Sequence, residues 1–338
     1  MNKNYLSIGK LPPEMLQKVL KKVPLIDDRI LSGPGIGIDC AVINYGEKAL
    51  AVKTDPITFV SNEIGWYAVQ ICANDIVTTG AKPLWYLATV LFPERNTTEE
   101  LVNEIAAQIY DTCKKLGISV IGGHTEVTSG LDRPIVVGTM MGEVDHEQLL
   151  SPANTKPGDH ILLTKGVPIE ATAILAREFK EKLMGVLNEK ELDQAAEFLY
   201  HPGISVVKDA QLAVSAGQVH GMHDPTEGGL AAAIWEMADA CGYGIEFFPK
   251  KVYVPDLSKR ICQVFKIDPL ASIASGALLL SVPEDQVNII CRALEGAGIR
   301  CSDIGTVRKD ISGVVVDDGK KKNFYPRPTR DDIATLFD

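Results

Sequence analysis

Short apolar runs alternate with segments of helical period along the whole chain. Cys40-Ala41-Val42-Ile43 and Ala49-Leu50-Ala51-Val52 are continuous apolar runs on either side of Gly46, and they predict two strands joined by a turn. Between residues 63 and 79 the apolar positions Ile64, Tyr67, Ala68, Ile71 and Cys72 recur at helical spacing, with Gly80 just beyond. That pattern predicts a helix ending at a glycine cap. Residues 84–91 read as an apolar strand. Thr97-Thr98-Glu99-Glu100 reads as a capping box opening the next helix, which Gly117 closes. Residues 118–121 read as a short buried strand that runs into a turn at Gly122-Gly123, and residues 134–142 as another strand.

The pattern breaks at residues 145–159, which are polar and carry Pro152, Pro157 and Gly158. A domain boundary is expected there, dividing the chain into residues 1–150 and 151–338. The alternation then resumes. A strand is expected over 160–164, helices near 169–181, 190–200, 204–216, 226–240 and 284–298, and strands near 245–248, 277–282 and 313–316. Two consecutive mixed α/β domains follow from this order.

Length and composition fit that division. A chain of 338 residues with 46% hydrophobic and 23% charged residues can bury two cores, so gross disorder is excluded. The formal net charge of −10 argues against a duplex nucleic-acid partner, which calls for a basic face. An acidic protein that binds a polyanion needs its charge screened, and carboxylate-held divalent metal does this. The seven cysteines are odd in number and none has CxxC spacing, which speaks against a zinc site or disulfide framework and for a reducing compartment. No signal-peptide core opens the chain, and the weakly charged stretch 269–283 is too short to span a bilayer. A cytoplasmic location with no membrane partner is the expectation.

Candidate chemistry lies in five short segments that pair small or glycine-rich residues with acids. In Gly33-Pro34-Gly35-Ile36-Gly37-Ile38-Asp39, the glycines allow close backbone approach to a ligand and Asp39 enters the next strand. A glycine-rich turn before a strand is more often purely structural. Lys53-Thr54-Asp55-Pro56 ends an apolar run, and the proline holds Asp55 extended. The bland alternative is a solvated loop. Asn74-Asp75 sits among Ile71, Cys72, Ala73, Ile76 and Val77, where an aspartate is costly to bury alone. It is either a solvated stripe or a metal or phosphate ligand. Gly122-Gly123-His124-Thr125-Glu126 resembles a phosphate-binding turn, with His124 and Glu126 as candidates for acid–base or metal work. A histidine beside a turn is more often a hydrogen-bonding residue. In His223-Asp224-Pro225-Thr226-Glu227-Gly228-Gly229, a loop enters a helix whose first amides favour an anion, or form an ordinary N-cap. Converging aspartates with an asparagine suit Mg²⁺, which takes oxygen ligands and bridges phosphates.

In order along the chain, GxDCAVI (37–43), KTDP (53–56), CANDIVTTGAKP (72–83), GGHTEV (122–127), HDPTEGGL (223–230), SGALL (275–279) and IGTV (304–307) resemble the aminoimidazole-ribonucleotide-synthase-related, or PurM-like, superfamily. The superfamily includes selenophosphate synthetase, thiamine-monophosphate kinase and the hydrogenase maturation factor HypE, and the HypE-like branch is the most similar. The resemblance implies a two-domain fold. The N-terminal domain pairs its sheet with that of a second subunit to form a barrel at a homodimer interface, and ATP lies between the domains. It implies Asp39, Asp55, Asp75 and Asp224 as Mg²⁺ ligands, with Asn74 alongside. It implies Gly37, Lys53, Gly122, Gly123, Thr125 and Thr226 as nucleotide contacts, and Asp75, His124 and a mobile Lys10 as catalytic residues.

The implied reaction is phosphoryl transfer from ATP to an oxygen, often of an amide, on a small molecule or a protein-borne group. HypE proteins end in a cysteine that carries the group to be dehydrated. This chain ends Ala334-Thr335-Leu336-Phe337-Asp338 and its last cysteine is Cys301, so the resemblance leaves the acceptor open. GGHTEV also departs from the HypE form, which has an aspartate in its third position and a lysine in its fifth. The competing expectation is a non-catalytic, dimeric nucleotide-binding protein of maturation or regulation.

Overall fold

The computed structural model describes residues 11, 13–58, 60, 62–317 and 322–337. The chain divides into two compact units. One comprises Leu25–Pro34 and Ile38–Leu150; the other comprises Ser151–Asp338 together with Gly35–Gly37 and the segment ending at Pro24. Helix α1 (Pro13–Leu20) falls in the second of these units.

The first unit is built on β1 (Ile30–Ser32), β2 (Ala41–Tyr45), β3 (Lys48–Ile57), α2 (Ile64–Thr78), β4 (Lys82–Pro93), α3 (Glu99–Leu116), β5 (Ser119–Thr128) and β6 (Ile135–Asp145). Its six strands lie in the order β1-β2-β3-β6-β4-β5, antiparallel except for the parallel β4–β5 pair. The hairpin at Gly46 has the expected left-handed turn residue, φ 75°. The structure extends β3 well beyond Val52, so the Lys53–Asp55 segment lies inside a strand and not at its end. β2 stops opposite Val52, so residues 53–57 have only β6 beside them. Pro56 is tolerated at that edge.

Helix α2 is buried almost all round; Trp66 alone is missing from its run of buried residues. It lies against β3, β4 and β6, and α3 packs on it. Close approach depends on glycine in β6: a Cβ at Gly142 would meet Ile76 Cγ2 and the Lys82 carbonyl, each at 2.6 Å. β6 alternates buried and half-buried residues along its length, so one face lies beneath the helix and the other does not. At the start of α3, the Thr98 hydroxyl accepts from the Leu101 amide and Thr97 bonds to the Pro93 carbonyl. The third helical residue is thus leucine, and the expected reciprocal capping box does not form.

The second unit continues with β7 (His160–Thr164), α4 (Ile169–Glu178), α5 (Lys180–Leu183), α6 (Glu189–Ala196), α7 (Val207–Ala216), β8 (Gly221–His223), α8 (Gly229–Cys241), β9 (Gly244–Phe247), α9 (Asp256–Phe265), β10 (Leu279–Val282), α10 (Val287–Gly296), β11 (Cys301–Arg308), β12 (Val314–Asp317) and β13 (Lys322–Phe324). The strands lie in the order β13-β12-β9-β11-β7-β10-β8, with β12–β9 the parallel pair. Its core gathers Ile161, Leu163, Ile234, Phe247, Leu279 and Ile304 with the buried face of α8. Among the described residues no helix is long and apolar enough to cross a membrane.

Candidate functional site

In β3 the side chains alternate, which places Ala49, Ala51, Lys53 and Asp55 on the face beneath α2, with Thr54 on the other face bonded to the Gly138 carbonyl. α2 lowers Asp75 onto that face. Lys53 Nζ lies 3.1 Å from Asp75 Oδ2 and 3.8 Å from Asp55 Oδ2. Asp75 is 3% exposed and Asn74, one residue before it, is fully buried. Burial pushes the Lys53 ammonium down, but the carboxylates of Asp75, Asp55 and Asp39 outweigh it and hold Lys53 well above the usual lysine range. Asp75 is therefore not part of a solvated stripe. Asp75 and Asp55 flank one ammonium within a single α/β unit, and the charge of Asp39 also acts on it.

The backbone around this cluster is fixed. The Asp75 carbonyl accepts from the Thr78 hydroxyl at 2.7 Å and the Cys40 thiol at 3.2 Å. Cys72 beneath is kept a neutral thiol by burial first, then by Asp75 and Asp55. With Lys53 counted, the three aspartates leave an excess of two negative charges. This donor set, all oxygen and net dianionic, fits a hard divalent cation.

In the other unit, Asp224 follows the buried strand β8 and is 1% exposed. His223 before it bonds through Nε2 to Glu236 Oε2 at 2.8 Å. Gly37, grouped with this unit, has φ 73°, and a Cβ there would meet the Glu236 carbonyl at 2.6 Å. The glycine is required by packing on α8.

α8 begins at Gly229, later than expected, and residues 226–228 are the loop that leads into it. Three amides there already have acceptors within the chain. Gly228 N–H donates to Asp331 Oδ2 at 2.6 Å, Gly229 N–H to the Thr226 carbonyl, and Ala231 N–H to the Leu270 carbonyl. Asp331 takes the place an anionic ligand was expected to fill. The Thr226 carbonyl also accepts from Ala274 N–H.

Among the buried acids that the sequence did not single out, Glu170 and Asp331 are pushed furthest toward the protonated form. Glu170, in the first turn of α4, is 5% exposed, and its Oε2 has no hydrogen-bond partner among the described residues. Burial raises its carboxyl to about 7; a hydrogen bond to Ser275 opposes this, while Asp331 and Glu227 add to it. Burial likewise raises Asp331 to about 7 against the Gly228 and Ile333 amides. The signal for Glu170 was a single acid within the apolar run Pro168-Ile169-Glu170-Ala171-Thr172-Ala173-Ile174.

GGHTEV is not a turn. Gly122, Gly123, His124, Thr125 and Glu126 lie within β5, each paired in parallel with β4 from Leu87 to Leu91. Gly123, at φ 150°, has its α-carbon against the Ala88 carbonyl, where no side chain fits. Nor is the strand buried: β5 is exposed along nearly its whole length. His124 Nε2 lies 3.1 Å from Glu126 Oε2, and both side chains are exposed. Two strands, β6 and β4, separate β5 from β3, which puts this segment roughly 14 Å across the sheet from β3. Within one chain the structure therefore gathers Asp39, Lys53, Asp55 and Asp75 and leaves Gly122, Gly123, His124 and Thr125 at the sheet's far edge. Lys10 lies outside the described residues.

Residues 37–144 match the family described as AIR synthase related protein, N-terminal domain, and residues 156–318 match its C-terminal domain. The chain is 28% identical over 337 residues to a hydrogenase expression/formation protein of Methanocaldococcus jannaschii, covering 96% of each chain. It is 27% identical to selenide, water dikinase of Carboxydothermus hydrogenoformans, over 91% of this chain and 95% of that one. The fold is similar to that of the hydrogenase maturation protein HypE solved in complex with ATP. The TM-score is 0.70 at 20% identity, covering 94% of this chain and 91% of that one.

Proposed function

The chain belongs to the AIR synthase-related family, and on that premise we propose that it is an ATP- and Mg²⁺-dependent enzyme of the HypE-like branch. It activates an oxygen of an amide or similar group, on a small molecule or a protein, by phosphorylation. The observation that carries this reading is the cluster of buried Asp75 with half-exposed Asp39 and Asp55 around Lys53, whose excess negative charge calls for a cation. Asp39, Asp55 and Asp75 would hold the metal, with Asn74 beside them, and Asp224 is the further carboxylate that the family resemblance adds to the set. Bound Mg²⁺ neutralises the triphosphate.

The protein's own residues position and screen. Lys53 keeps its charge because the aspartates outweigh its burial, and it offers N–H donors to phosphate oxygens. Neutral Cys72 adds no competing charge. Thr226 and Gly37 shape the approach to nucleotide.

A second copy of the chain completes the assembly. β5 is an exposed edge strand with Val120 at 38%, Ile121 at 52% and Val127 at 57% exposure, a row of unpaired backbone and apolar side chains that monomers avoid. Pairing of the six-stranded sheets of two copies covers it. It also gives Gly122, Gly123, His124 and Thr125 a place beside the partner's nucleotide, which they lack within one chain.

Release of ADP from ATP by the purified protein, measured with and without Mg²⁺ and with and without cell extract, tests the reading. Turnover that needs Mg²⁺ supports it. Tight binding without turnover under every condition favours a nucleotide-binding maturation or regulatory protein instead.

A further inference from the structure

α10 and β11 are joined by a tight turn over residues 297–300. Ala297 and Ile299 amides bond to the Leu294 carbonyl, Gly298 takes φ 81°, and Ile299 is buried. The turn folds the middle of the helix back over the first residue of the strand. Ile290 and Leu294 bury the inner face of α10, which leaves Cys291 at the border of that face and Cys301 opposite it. Their sulfurs are 2.7 Å apart, and both are half-buried. This is closer than two unbonded thiols ordinarily pack, and about 0.7 Å longer than the ~2.05 Å of a disulfide.

We propose that Cys291 and Cys301 form a reversible dithiol–disulfide site that is oxidised by peroxide. The Cys291 thiolate attacks the peroxide O–O bond. An S–O bond forms, the O–O bond breaks, and the departing oxygen leaves as water after taking a proton. Cys301 sulfur then attacks Cys291 sulfur. The S–S bond forms, the S–O bond breaks, and the Cys301 proton leaves with the hydroxide as water. Two thiols are oxidised by two electrons and one peroxide is reduced to two waters. A dithiol reductant reverses the step.

The order of attack follows from the pair. The first proton leaves Cys291 more readily than it leaves an isolated thiol, because the Cys301 S–H donates to the thiolate. The same bond, and then burial, makes the second proton harder to lose. The remaining cysteines offer contrast. Cys40, Cys72, Cys113 and Cys262 are buried. Cys241 is half-buried like the pair, but its thiol points to the Ala238 and Tyr243 carbonyls and burial pushes it up. The inference does not depend on the nucleotide reading.

The test uses the reduced full-length chain, titrated with hydrogen peroxide and digested with trypsin without reductant. Arg292 and Arg300 lie between the two cysteines, so trypsin separates them unless they are bonded. The expected result is a linked Cys291–Cys301 peptide, lighter by two hydrogens, formed before Cys241 is modified and lost on adding dithiothreitol. In Cys301→Ser, dimedone should trap a sulfenic acid at Cys291; in Cys291→Ser, Cys301 should react at least about tenfold more slowly than Cys291 does. Free alkylation of both thiols at an unchanged rate after peroxide, or a linkage to a different cysteine, overturns the proposal. The wild-type digest decides the matter even if a variant fails to fold.

Discussion

Replacing Glu170 by Gln should stabilise the C-terminal unit at alkaline pH and leave it nearly unchanged in acid. In the native state burial holds this carboxyl at about 7, against a reference of 4.5. An acid raised on folding binds more protons in the native than in the unfolded state between those two values. Stability therefore falls as pH rises through that window and levels off above about 7. Holding the carboxyl at about 7 in place of 4.5 costs about 3 kcal/mol in full, at 1.36 kcal/mol per pH unit. Between pH 5 and pH 8 the change is about 2 kcal/mol, because part of the transition lies below pH 5. Glutamine keeps the shape and the acceptor for Ser275, and its amide donors replace the unpartnered Oε2 beside Asp331 and Glu227. The assay is urea unfolding at pH 5, 6, 7 and 8, read by hydrogen exchange of the α4 amides, which report the unit that holds Glu170. The variant should gain on the wild type by about 2 kcal/mol over this range. A gap that does not change with pH, or a variant less stable at pH 8, would show that Glu170 is not a buried acid of this kind.

Two other substitutions follow from the geometry. Gly142→Ala should cost about 1–3 kcal/mol by overpacking, since the new Cβ meets Ile76 and the Lys82 carbonyl at 2.6 Å and backbone cannot yield cheaply; a melting temperature equal to wild type would refute the close α2–β6 packing. Ile121→Asp should turn a dimer into a monomer in sedimentation velocity while far-UV circular dichroism stays the same, because Ile121 is 52% exposed in the single chain; an unchanged sedimentation coefficient would remove β5 from the interface.

Much of the cluster around Asp75 was legible because its signals are local. An aspartate set among Ile71, Cys72, Ile76 and Val77 can only be costly or functional, and the structure shows it held by Lys53. Lys53 and Asp55 share a face because strand period is two, although the strand's extension past Val52 was not visible. What failed was non-local. Two successive glycines read as a turn, but parallel pairing with β4 draws Gly122-Gly123 into a ten-residue strand. The amide of Gly228 is bonded by an aspartate 103 residues away, a partner no local pattern announces. β11 escaped notice because Gly305 and polar residues interrupt its alternation, and α9 because a short amphipathic run follows Pro255 without a side-chain cap.

The central claim is that Asp75 and its neighbours hold magnesium with ATP. Isothermal calorimetry of ATP binding, with and without Mg²⁺, on the wild type and on Asp75→Asn tests it most directly. Asparagine preserves shape and removes one ligand charge, and Asp55 remains 3.8 Å from Lys53 to keep the fold paired. The expected result is Mg²⁺-dependent binding in the wild type that weakens by about 10- to 100-fold, roughly 1.4–2.8 kcal/mol, in a variant that still folds. Equal ATP affinity in both proteins, or wild-type binding indifferent to Mg²⁺, would contradict the account.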